Sequence, residues 1–173
     1  MTLKLLLLFF TLNSHLFAIT EKQALDRINL YASNLKKELQ KGLSKSPEEA
    51  VKTCHLQAPR LQKQASDDHM QIGRVSLKNR NPHNTPKDWM KKYIQDFHQG
   101  KIKKDHIVVS LDSGKQGLLK PIKMMPICLK CHGEHLSPEI QKVITTYYPH
   151  DKAKGYKLGE IRGFFWAEYS NEE

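Results

Sequence analysis

Residues 128–132 read Cys-Leu-Lys-Cys-His, and no other feature of the chain restricts its folding so narrowly. Two cysteines three positions apart lie on one side of a helical turn. Each thiol can then add to one vinyl group of a single haem, and the histidine that follows offers its imidazole to the iron. A chain with this signature has to fold around a flat prosthetic group and supply any second axial ligand from a distant segment. On this reading Cys128 and Cys131 attach one haem c covalently, and His132 is an axial ligand. Two other uses of the cysteines compete. A thioredoxin-like dithiol calls for a βαβ setting, which the sequence pattern lacks. A structural zinc built from Cys54, Cys128, Cys131 and either His132 or His135 lacks the usual paired ligand spacing.

The place of the motif narrows the class. Small His/Met cytochromes carry it near the N-terminus with the methionine ligand downstream, and here no methionine follows Met125. Four-helix haem proteins carry it close to the C-terminus, whereas residues 133–173 follow it here and include an expected strand.

At the N-terminus, Lys4 precedes the apolar run Leu5 to Phe10, and Ala18 closes a more polar stretch. This describes a signal peptide over 1–18, leaving a haem domain over 19–173. The run is shorter than the roughly 20 apolar residues that a membrane span needs. Export to the periplasm suits the motif, because c-type haem is attached outside the bacterial cytoplasm.

The first helix is expected to open at a capping box of Thr20 and Gln23 and to end near Gly42, with Leu25, Ile28, Ala32, Leu35 and Leu39 on one face. The second opens at Ser46, with Pro47 in its first position and Glu49 closing a box. Its apolar stripe is Val51, Cys54, Ala58, Leu61 and Ala65, and Pro59 predicts a kink just after Cys54. A third helix is expected from a Thr85 cap and Pro86 to Gly100, and a last one from Ser137 to about Tyr148. Strands are expected over 72–78, 106–111, 117–124 and 159–169. Helices at the front and mostly antiparallel strands after them make the class α+β.

Several stretches carry a family likeness: Cys54 with Ala58-Pro59, the run Arg74 to Pro82, Asn84-Thr85-Pro86 with Trp89, the haem motif through Gly133, and Tyr148 to Tyr156 running into Gly159 and Arg162-Gly163. In these the chain resembles the Tll-like haem domains, which occur as stand-alone exported proteins and as sensory parts of bacterial receptors. The resemblance implies a PAS-like antiparallel sheet with long N-terminal helices and one covalently bound haem. It also implies an axial pair of His132 and Cys54. The residues alone leave Cys54 open. It is the one thiol that the motif does not use, and a free cysteine equally serves as a small buried hydrophobe. Rival ligands are His55, His69, His83, His106, His135, Met70, Met124 and Met125. Arg74, Lys78 and Arg80 are candidates for the haem propionates, since guanidinium forks match carboxylates, with loop-stabilising hydrogen bonds as the alternative use.

The charge bears on partners. Lys+Arg number 28 against 18 Asp+Glu, a net charge of +10. Export and the absence of an aromatic-interleaved basic strip argue against nucleic acid. An acidic redox partner or a membrane sensor protein remains compatible with such a surface. Two functions follow: a redox carrier with an electron-transfer role, or a haem-based redox or gas sensor acting through a partner. No acid/base residue of an enzyme's distal site is identifiable, so no catalytic role is expected.

Overall fold

The computed structural model describes residues 18–112 and 114–170. The leader expected over 1–18 therefore lies outside the described residues except for Ala18. Helix α1 (Glu21–Leu43) begins at the predicted box: the Gln23 amide donates to Thr20 Oγ1 at 3.2 Å, and the Thr20 amide donates to Gln23 Oε1 at 2.8 Å. Gly42 does not stop the helix. It lies buried in the last turn, where a Cβ would come within 2.5 Å of Ala50 Cα, so its bare backbone lets the next helix approach. Helix α2 (Pro47–Ala65) is capped by Ser46, whose hydroxyl accepts from the Glu49 amide at 3.1 Å. Glu49 does not close the box, because its carboxylate pairs with Lys52 one turn ahead. The helix runs on through Pro59, an exposed residue.

Four strands form one antiparallel sheet: β1 (Met70–Val75), β2 (Ile107–Ser110), β3 (Lys115–Lys123) and β4 (Ile161–Ser170), in the order β1-β4-β3-β2. Strand β1 ends before the predicted 78 because the chain leaves the ladder at Ser76. The Ser76 amide donates to Asn84 O at 3.0 Å, and its hydroxyl donates to Arg162 O at 2.7 Å. Helix α3 (Asp88–His98) starts later than predicted, at Lys87 rather than Thr85. Asn81 instead caps a 3₁₀ turn over Pro82–Asn84, and the Thr85 hydroxyl donates to Pro82 O at 2.7 Å within that turn. Thr85 stays extended, as the residue before a proline prefers.

The sheet is buried on both faces, which is why β4 reads as an apolar run rather than an alternation. Ala24, Ile28 and Tyr31 of α1 cover one face with Met70, Ile72, Leu118, Ala167 and Tyr169. Met90, Ile94 and Phe97 of α3 cover the other with Val75, Leu119, Phe164 and Trp166. Each fully buried Val, Leu, Ile, Phe or Met side chain among them contributes roughly 1.5–3 kcal/mol. The class is α+β, with an antiparallel sheet and two long N-terminal helices, as the sequence implies.

Two short helices stand apart from this sandwich, α4 (Pro126–His132) and α5 (Pro138–Tyr147). They hold to the rest through two small clusters. Val51 of α2 packs with Ile140 and Ile144, against Cys131 and Tyr148. Met124, Ala153 and Tyr156 pack against Cys128 and Leu129. Among the described residues no helix is long and apolar enough to cross a membrane.

Candidate functional site

Between α1, α2, the ends of the strands and α4 lies a cavity of about 710 Å³, within the roughly 300–1,000 Å³ typical of ligand sites. Cys54 of α2 and Cys128, Cys131 and His132 of α4 share its wall, as do Arg74, Arg80 and Arg162. None of the three cysteines is in a disulfide. Burial pushes the Cys54 thiol upward, and the nearby charges of Arg74, Arg80 and Arg162 oppose that shift. Cys131 is likewise pushed upward by burial, with Arg80 opposing. Among the described residues no three His, Cys, Asp or Glu side chains gather as a metal cluster, so the competing zinc arrangement is not assembled.

His132 is held in one tautomer. Its Nδ1 lies 2.6 Å from Ala153 O. A carbonyl only accepts, so Nδ1 carries the proton and Nε2 keeps a lone pair. Arg162 Nε donates to that Nε2 at 3.4 Å. Burial, with the charges of Arg162 and Arg80 added, holds the imidazole pKa well below its ordinary value, so the ring is neutral.

Arg80 organises the backbone around it. Its Nε and Nη2 reach the Asp151 carboxylate at 3.0 and 3.1 Å, and Nη2 also donates to Cys131 O at 2.6 Å and Ala153 O at 3.3 Å. Asp151 Oδ1 accepts from the Ala153 amide at 2.9 Å. One guanidinium thus fastens the haem motif to the very carbonyl that orients His132. Amides of Gly155 and Tyr156 complete the clamp by donating to Gly133 O and His132 O at 2.9 and 3.0 Å.

The three cations singled out as propionate candidates part ways. Lys78 does not line the cavity; its ammonium donates to Lys154 O at 2.6 Å and sits 4.5 Å above the Tyr156 ring. Arg80 lines the cavity but is engaged by Asp151 and the two carbonyls. Both therefore make the loop-stabilising bonds anticipated as their alternative use. Arg74 differs: its buried Nε has no hydrogen-bond partner among the described residues. Of the rival ligands, His55, His83 and Met124 also line the cavity. The His55 ring packs against Tyr147 and Tyr148, with centroids 5.1 Å from each. His69, His106, His135, Met70 and Met125 do not line it.

The Tll0287-like family, described as Tll0287, matches residues 17–169. The chain belongs to this family. The solved structure of a Tll0287 relative, described as a cyanobacterial heme-protein, superposes with a TM-score of 0.64 at 17% identity, covering 89% of this chain and 99% of that one. At that identity the likeness shows a shared fold. No curated protein matches the chain.

The Tll0287-like cavity fits a haem on its own chemistry. Two thiols a helical turn apart, a neutral imidazole with its proton on Nδ1, a further thiol on α2 and the arginines Arg74, Arg80 and Arg162 line one space. Reading the sequence for function missed Arg162, although Arg162-Gly163 stood among the family marks. It also missed Ala153 and Asp151 as the groups that orient His132. No local spacing signals these three, since each acts through a partner far along the chain.

Proposed function

We propose that this Tll0287-like chain is an exported, periplasmic protein that binds one haem c covalently and serves electron transfer, not catalysis. The solved relative's description as a heme-protein supports this reading. The observation that carries it is His132, whose Nδ1 proton is held by Ala153 O at 2.6 Å so that Nε2 offers its lone pair beside Cys128 and Cys131. Bound haem supplies a one-electron iron couple.

The chain's residues do the rest. Cys128 and Cys131 would hold the haem through thioether bonds to its vinyl groups. His132 would hold the iron through Nε2, its basicity raised by the Nδ1–H bond to the carbonyl. Cys54 would hold it as the second ligand; burial pushes its thiol pKa up, and the charges of Arg74, Arg80 and Arg162 oppose that rise. A thiolate donates strongly and so favours the oxidised iron. Arg74, which lines the cavity, would take a propionate. The basic surface, net +10 over the whole chain, suits an acidic redox partner.

Protein made in a host able to attach haem should retain haem stain after denaturing electrophoresis, and Cys128→Ala or Cys131→Ala should weaken or abolish it. An unstained wild-type band refutes the proposal. In the stained protein, Cys54→Ala should convert a low-spin ferric spectrum to a high-spin or water-bound one. An unchanged low-spin spectrum would remove Cys54 and bring His55 forward.

A further inference from the structure

Arg74 and Arg162 are the two cavity arginines without a carboxylate partner among the described residues, since the ion pair with Asp151 belongs to Arg80. Both line the one cavity that His132 lines. Two cations on the wall of one partly buried cavity lose hydration, a cost normally offset by an anion within reach. The Asp151 carboxylate is already paired with Arg80.

Arg162 is also held in place. Its carbonyl accepts from the Ser76 hydroxyl at 2.7 Å and from the Tyr156 hydroxyl at 3.1 Å, which fixes the backbone at the start of β4. The side chain alone is left to move. Its Nε donates to His132 Nε2 at 3.4 Å, a long and weak bond to the lone pair that an axial ligand must present to iron. The same atom therefore has two uses that exclude each other. With His132 serving as a ligand, the Arg162 guanidinium has to find another acceptor within reach of the cavity.

We propose that Arg162 is the second carboxylate-binding cation of the cavity, pairing with Arg74 so that the two guanidiniums take the two propionates of the haem. The inference rests on the haem reading above and assigns to Arg162 a positioning and charge-setting role which that reading does not contain. Its consequence is electrostatic. A cation at the propionates offsets their negative charge, and that charge favours oxidised iron. Removing the cation lowers the reduction potential.

The test uses covalently loaded, haem-stained protein, so that failure to attach haem counts against the haem reading and everything measured afterwards bears on Arg162. Arg162→Gln should shift the Fe(III)/Fe(II) ratio at fixed applied potential roughly tenfold towards Fe(III), which is about 59 mV for one electron. Its propionate carboxylate band should also move in the redox-difference infrared spectrum. Lys152→Gln, an exposed lysine outside the cavity wall, should leave both readings at wild-type values. Arg162→Lys keeps the charge and covers the case in which the glutamine variant fails to fold. It should retain most of the potential while still shifting the infrared band, because the two-pronged bond is lost. A potential and a carboxylate band unchanged in either Arg162 variant would overturn the proposal.

Discussion

His132 depends on a relay that begins at an ion pair. Asp151 holds Arg80, Arg80 holds the carbonyls of Cys131 and Ala153, and Ala153 holds the Nδ1 proton. The Arg80 and Asp151 side chains are 11% and 6% exposed, so this pair is far better shielded than the surface pairs, which contribute little. Asp151→Asn would leave the guanidinium buried with a neutral partner, a loss of about 3 kcal/mol. For a chain of this size that lowers the thermal midpoint by roughly 6–12 °C. Calorimetry of the purified protein checks this, and an unchanged midpoint would mean that the carbonyls alone hold Arg80. The sequence leaves Arg80 between a propionate contact and loop-stabilising hydrogen bonds. The structure gives it Asp151, a residue that local pattern does not distinguish from any loop aspartate.

At the scale of elements, α1 and α2 are the frame that carries Cys54 to the cavity. Their caps were legible because Thr20 and Ser46 act on amides three residues away. Their contact was not. Gly42 reads as a helix stop in sequence, yet it is the point where the two backbones meet, so close that a Cβ there would lie only 2.5 Å from Ala50 Cα. Because the obstacle is backbone, relief requires the helices to part. Gly42→Ala should therefore destabilise the fold by about 1–3 kcal/mol, visible as a lower denaturant midpoint at unchanged slope. A gain in stability, which higher helix propensity alone would give, would show that the contact relaxes freely. The start of α3 was misplaced for a related reason. Thr85-Pro86 has the composition of a helix start, but Asn81 and Pro82 claim the segment for a 3₁₀ turn first.

Across the whole molecule, the helical pair is tied to the sheet partly by charge. Asp67, in the turn between α2 and β1, accepts from Arg27 of α1 and from the amides of His69 and Met70 at 3.0 and 2.8 Å. The hydrogen bond from Arg27 is the largest cause that holds the Asp67 carboxyl below its usual range. A carboxyl depressed in the folded state binds fewer protons there than when unfolded. Its stabilisation is thus complete above the unfolded value of about 3.9 and is lost as pH falls through the folded one. Both side chains are partly exposed, 35% and 45%, which limits the effect to about 0.2–1 kcal/mol. Asp67→Asn should flatten the acid limb of the stability curve below about pH 4 and leave the slope near neutrality unaltered. An acid limb as steep as that of the wild type would place the titration elsewhere.

The sequence by itself determined what rests on short-range spacing: the single helical turn that carries Cys128, Cys131 and His132, the starts of α1, α2 and α5, and the α+β class with its antiparallel sheet. Each is set by groups within one or two turns of one another. Only the tertiary structure decided which carbonyl orients His132, which cations face the cavity and which are already engaged. Those contacts join Arg80 to Asp151 across 71 positions, Ser76 to Arg162 across 86 and His132 to Ala153 across 21. Over such separations, side chains meet because strand register and helix packing bring them together, and a local pattern carries no trace of either.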